Sequence, residues 1–137
     1  MAIPDEFLYE YAVVRYVPRV DRGECVNIGL IMMCKRRRWL RGEISLDEER
    51  IRAFDPRVDM EMLFSQASVF MRDDVPAAGI PVEERYRWLS AVKSAVLQVS
   101  PSHPGLIVMA EGETAPAPSP VERLDREFSR LFRDLVL

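Results

Sequence analysis

Three strand-like runs joined by short turns open the chain, and they limit what it can fold into. Residues 8–17, LYEYAVVRYV, are rich in the aromatic and β-branched side chains that suit a pleated surface. Residues 25–34, CVNIGLIMMC, and 39–46, WLRGEISL, follow. PRVDRGE turns the chain after the first run, through Pro18, Asp21 and Gly23, and KRRR turns it after the second. Connections this short join antiparallel neighbours, so the spacing predicts a meander.

The middle run sets the register. Val26, Ile28, Leu30, Met32 and Cys34 alternate onto one uninterrupted apolar face, while Cys25, Asn27, Gly29, Ile31 and Met33 alternate onto the other. A first turn centred near Asp21 puts Arg15 opposite Asn27 and Val13 opposite Gly29. A second centred near Arg37 puts Leu40 opposite Cys34 and Ile44 opposite Leu30. The expected core face therefore holds Leu30, Met32, Leu40 and Ile44 together. The second face gathers Tyr9, Tyr11, Arg15, Asn27, Gly29, Trp39, Arg41 and Glu43, and is either partly solvated, crossed by a helix at Gly29, or a binding surface built on Trp39, Arg41 and Glu43. Gly29 leaves a notch there for a close neighbour.

Downstream the pattern turns helical. Asp47 is an N-cap for a short helix, DEERIRAF. Asp55-Pro56 then starts a longer helix reaching about Arg72, with Met60, Leu63, Ala67, Phe70 and Met71 on one face. DDVPAAGIP reads as a loop. Pro81 opens another helix, with Tyr86 and Leu89 on its buried side and Trp88 also assigned to the core. Residues 94–99 fit either a continued helix or a fourth strand. LIVMA is a short edge strand, and the Pro-rich 111–119 a flexible loop. Ser119, Pro120 and Glu122 form a helix-start signature ahead of the apolar stripe Val121, Leu124, Phe128, Leu131 and Leu135. The expected fold is α+β, one domain over 1–137: a small, mostly antiparallel sheet with helices on its core face.

Composition narrows the function. A net charge of -3 argues against general nucleic-acid binding. The basic residues are 17 Arg against 2 Lys, and Arg is the better ligand for carboxylate and phosphate. MAIPDEF has no signal-peptide pattern, and no apolar run approaches the roughly 18 residues a membrane helix needs. Cys25 and Cys34 stand roughly 30 Å apart along one strand, too far to bridge, and read as free, small core thiols of a reducing cytoplasm. Two Cys and one scattered His predict no metal site, and no glycine loop for a phosphate cofactor occurs.

Several pieces together resemble an uncharacterised bacterial family, domain of unknown function 3037 (DUF 3037). They are Arg15-Tyr16-x-Pro18, Arg22-Gly23-Glu24, Val26-Asn27-x-Gly29, Arg87-Trp88-Leu89 and Ser100-Pro101-x-His103-x-Gly105, with an amphipathic terminal helix. The resemblance favours a strand at 94–99. It carries no established reaction. It implies an association with HipA-like Ser/Thr kinases, hence a kinase partner or an antitoxin-like role.

Two functional readings compete. One is a non-enzymatic, cytoplasmic interaction or regulatory module with a protein partner, for which a homo-oligomer is also compatible. The other is a small enzyme or nucleotide-handling protein whose polar site is Arg15, Arg22, Glu24, Asn27 and His103. His103 is the sole imidazole, near Ser100 and Ser102, but no nucleophile elbow or oxyanion loop accompanies it. RNA binding through Trp39 and the basic turn is a weaker third reading, because the glycine-aromatic signature of an RNA-recognition sheet is missing. Arg15, Asn27, Glu24 and the 100–105 turn are expected to lie together as a structural polar network, with Glu24 reaching Arg15.

Overall fold

A computed structural model describes residues 5–74, 79–91, 94–109 and 119–137. The meander is present as β1 (Asp5–Tyr16), β2 (Val26–Cys34) and β3 (Trp39–Ile44), all antiparallel. The sheet continues outward through β4 (Arg72–Asp74) beside β3, so the first residues of the expected 73–81 loop add a strand instead. On the other side, β1 is long enough to pair with two strands end to end. Its residues 14–16 meet β5 (Leu97–Val99), and its residues 5–11 meet β6 (His103–Met109). The open choice at 94–99 is resolved as strand. The Pro-rich 111–119 loop falls, up to residue 118, outside the described residues.

Helices α1 (Glu48–Phe54), α2 (Met60–Ala67) and α3 (Val82–Ser90) pack on one face of the sheet, and α4 (Pro120–Leu135) lies across the other. Asp47 caps α1 by accepting the Arg50 N–H at 3.2 Å. The next helix starts later than expected. Asp55 ends α1 and takes the Tyr16 hydroxyl, leaving Asp59 to cap α2. Ser119 caps α4 as its sequence predicts, accepting from the Glu122 N–H.

Both faces of the sheet are therefore buried, and β2 is sealed along nearly its whole length. That is the burial pattern of a sheet covered on both sides, which reads as a continuous apolar run rather than an alternation. The sequence cannot show from alternation alone which residues go where, and two of the expected pairings are corrected.

The first correction is a β-bulge. Arg15 faces Asn27 as expected, but Val14, not Val13, faces Gly29. Ile28 is the extra residue, and its carbonyl accepts the Ser45 N–H at 2.7 Å instead of joining the β1 ladder. A bulge inverts the alternation beyond it. Val26, Ile28, Ile31 and Met33 thus join the core under α1–α3, whereas Leu30, Met32 and Cys34 join the core under α4. Gly29 sits at the bulge because a Cβ there would lie 2.7 Å from Ile44 Cγ2 and 2.8 Å from the Glu43 carbonyl oxygen.

The second correction is the β2–β3 turn. Arg38 adopts φ 52°, and Trp39 rather than Leu40 faces Cys34. The two shifts offset each other on β3: Trp39 keeps the face of Tyr9 and Leu40 that of Ile44, while Leu30 and Met32 are the residues that change sides. Leu30 and Met32 lie under α4, while Leu40 and Ile44 pack against the opposite core. Asn27 shares the α4 face with Leu30 and Met32. Cys34 is buried as expected, but Cys25, expected in the core, is exposed because β2 begins only at Val26.

Candidate functional site

Trp39, Arg41 and Glu43 do share one face with Tyr9, Tyr11, Arg15 and Asn27, but α4 covers it. Trp39 is fully buried, edge-on to Phe128 at 6.4 Å between ring centres. It is a core residue and not part of a binding surface, because Leu124, Phe128 and Leu131 of α4 close over that face. Arg41 lies over the Phe128 ring at 4.5 Å and bonds Glu43 at 2.6 Å and Asp125 at 3.2 Å. Burial pulls its guanidinium pKa down, but the bond to Glu43 and the two carboxylate charges outweigh that and raise it. Arg41 is thus a charged clamp between β3 and α4.

Asn27 serves the far end of the same helix. Its amide donates to the Leu135 carbonyl at 3.0 Å, one of the carbonyls α4 leaves without an intrahelical partner. Arg15 stands beside it, flanked by Gln98 on the other side. The expected bond from Arg15 to Glu24 is not formed. Glu24 accepts instead from Arg22 Nε at 2.7 Å in the exposed β1–β2 turn, where Arg19 pairs with Asp21. That pairing holds the Asp21 carboxyl below its ordinary value. Arg15 Nε is buried without a hydrogen bond among the described residues.

The 100–105 turn does reach β1, at its middle. Ser100 is buried, and its hydroxyl accepts the Val13 N–H at 2.9 Å at the junction where β5 gives way to β6. The Ser100 N–H donates to the Val13 carbonyl, so this serine splices two short strands onto one long one. Ser102 bonds Tyr86 at 2.8 Å and Glu10 at 3.1 Å, and Glu10 pairs with Arg87. Burial pushes the Tyr86 phenol up to about 12. His103 is exposed, opposite Tyr11 with ring centres 5.3 Å apart. Tyr9, next along this face, lies over Gly105; burial first, and then the charge of Glu127, raise its pKa.

Of the five polar candidates, the fold pairs Arg15 with Asn27 and Arg22 with Glu24, and places His103 against Tyr11. Arg22 and Glu24 line a depression of about 300 Å³ with Phe54 and Asp55 that contains neither Asn27 nor His103.

The feature that sequence reasoning misplaced is Trp88. It is 55% exposed, not core. With Ile80, 54% exposed, it borders a groove of about 460 Å³ whose lining includes Leu40, Leu89, Arg72 and Arg85. The signal was present: Val82, Tyr86 and Leu89 repeat at helical spacing and form the buried stripe of α3, and residue 88 falls off that stripe.

These features define an α+β protein whose sheet is clamped between helices on both faces, with Asn27, Arg41 and Ser100 bonded to the scaffold and an apolar groove beside α3. Over residues 11–136 the chain matches the family described as Protein of unknown function (DUF3037), and it belongs to that family. No curated protein and no solved structure matches it. No helix among the described residues is long and apolar enough to cross a membrane.

Proposed function

We propose that this chain is a cytoplasmic interaction module that works through a protein partner, with a HipA-like Ser/Thr kinase as the partner the family resemblance implies. The observation that carries this reading is the Trp88–Ile80 groove. A half-exposed tryptophan bordering an apolar cleft is the residue type and setting that dominates binding energy at protein interfaces. Several polar residues that an enzyme reading would recruit are bonded within the fold: Asn27 to the end of α4, Glu24 to Arg22, and Ser100 and Ser102 to β1 and α3.

Co-expression with a HipA-like Ser/Thr kinase, followed by affinity capture, tests the reading. Wild type is expected to retain the kinase, and Trp88→Ala to lose it with an unchanged melting temperature. Failure of the wild type to hold the kinase, or full retention by Trp88→Ala, would overturn the proposal.

A further inference from the structure

A second surface lies at the opposite edge of the molecule, where β6 ends the sheet beside α4. Among the described residues β6 pairs only with β1. Pro104 has no N–H to give, and Val108 gives its carbonyl to the Arg123 side chain at 2.9 Å. Both therefore stand where backbone groups point away from β1, and Leu106, midway between them, shares that direction. Among the described residues the outward edge thus keeps both backbone groups of Leu106 and the N–H of Val108, with Pro104 and Arg123 blunting its ends. Leu106 is 50% and Val108 40% exposed.

Alongside this edge runs a groove of about 290 Å³, with residues 106–108 on one side and Arg123, Arg126, Glu127 and Arg130 of α4 on the other. Glu127 is neutralised by Arg130 at 2.5 Å. Arg126 is exposed and makes no hydrogen bond or ion pair among the described residues. Asp134 also lies 3.6 Å from Arg130, so three guanidiniums stand against two carboxylates and the wall is basic by the charge of Arg126.

We infer that this groove takes an extended acidic segment of a partner protein, which adds a strand to β6 while its carboxylates meet the arginines of α4. The inference rests on the interaction reading above and names the chemistry of one contact. Open strand edges recruit extended peptides through main-chain bonds, and a flanking helix supplies side-chain selectivity. Arg is the residue suited to a carboxylate, which its fork can grip bidentately. A second copy of the chain fits poorly. Pairing β6 with its two-fold mate would bring two basic α4 walls to the same junction.

A fluorescent decapeptide of alternating Val and Glu is the probe, read by anisotropy against the full chain. It is expected to bind saturably, to weaken with salt, and to lose about tenfold in affinity to Arg126→Glu. The same peptide methylated on every backbone nitrogen is expected not to bind. The alternating Val and Lys peptide is expected not to bind either. No saturable binding at millimolar peptide, or binding indifferent to Arg126→Glu or to methylation, would overturn the inference. So would a single-stranded oligonucleotide that binds more tightly than the peptide and depends equally on Arg126, since that marks a general anion surface. Kinase capture by Arg126→Glu separates the two readings: retention of the kinase with loss of the peptide leaves the Trp88 interface standing.

Discussion

At the scale of single residues, close approach and buried phenols govern what this fold tolerates. A Cβ at Gly42 would overlap the Phe70 backbone carbonyl, where the short segment after α2 crosses β3. A Cβ at Gly105 would overlap the Tyr9 ring. Backbone cannot swing aside as a side chain can. Gly42→Ala should therefore cost more than Gly105→Ala, each within about 1–3 kcal/mol for overpacking, as measured by urea unfolding. Reversal of that order would mean that β3 moves more freely than the Tyr9 ring. The phenols give a pH signature. Burial first, then the bond to Asp55, raise the Tyr16 pKa, and burial raises that of Tyr86 to about 12. In each case the folded chain holds its proton to higher pH than the unfolded chain does. That stabilisation is complete below the ordinary tyrosine value of 10.0 and is lost as pH rises toward the folded values. Stability should thus fall steadily above about pH 10, and Tyr16→Phe should flatten the fall while costing the hydrogen bond to Asp55, about 0.5–1.5 kcal/mol at neutral pH. Chemical denaturation across that pH range checks both.

At the scale of elements, what was legible in the sequence is what local chemistry decides. Ser119, Pro120 and Glu122 start α4 because a cap needs only its own three residues. Arg15 faces Asn27 as counted because the first hairpin is read outward from its turn. The register was lost at Ile28 because the bulge is set by residues distant in sequence, Ile44 and Glu43 against Gly29. Trp39 was misread for a related reason: it stands on the expected face, but α4, distant in sequence, covers that face. The site was less legible than the fold, since Asn27 and Ser100 look like functional polar residues until the elements they join are known. Asn27→Ala should loosen the last turn of α4 without unfolding the chain, at about 0.5–1.5 kcal/mol. Faster amide exchange confined to the end of α4 would confirm it, and unchanged exchange there would sink it. The β2–β3 turn is a basic element with few idle charges. Lys35 pairs with Glu83 at 3.3 Å, Arg36 donates to the Glu6 carbonyl, and Arg37 lies over the Phe7 ring at 5.0 Å. RNA should therefore bind only weakly, and replacing Arg36, Arg37 and Arg38 should change little. A micromolar, salt-dependent affinity abolished in that triple variant would reverse the expectation.

At the scale of the whole molecule, the sheet is a partition between two cores of different construction. One side is covered by three short helices, which bury Ile51, Leu63 and Tyr86 against β1–β3. The other is covered by the single helix α4, whose Leu124, Phe128 and Leu131 close over Phe7, Leu30 and Trp39. Leu30 and Leu40 sit on neighbouring strands but on opposite sides of the partition, and both are fully buried. Truncating either to Ala leaves a cavity worth about 2–5 kcal/mol. The cavities open toward different helices and share no packing partner, so the double variant should lose the sum of the two single losses to within about 0.5 kcal/mol. Leu30→Ala should also be felt by Trp39, which belongs to the same core. Its emission, isolated in a Trp88→Phe background, should become more accessible to acrylamide in Leu30→Ala and not in Leu40→Ala. Strong coupling between the two truncations, or equal quenching in both, would mean that the sheet transmits packing from one core to the other and that the two faces are not independent.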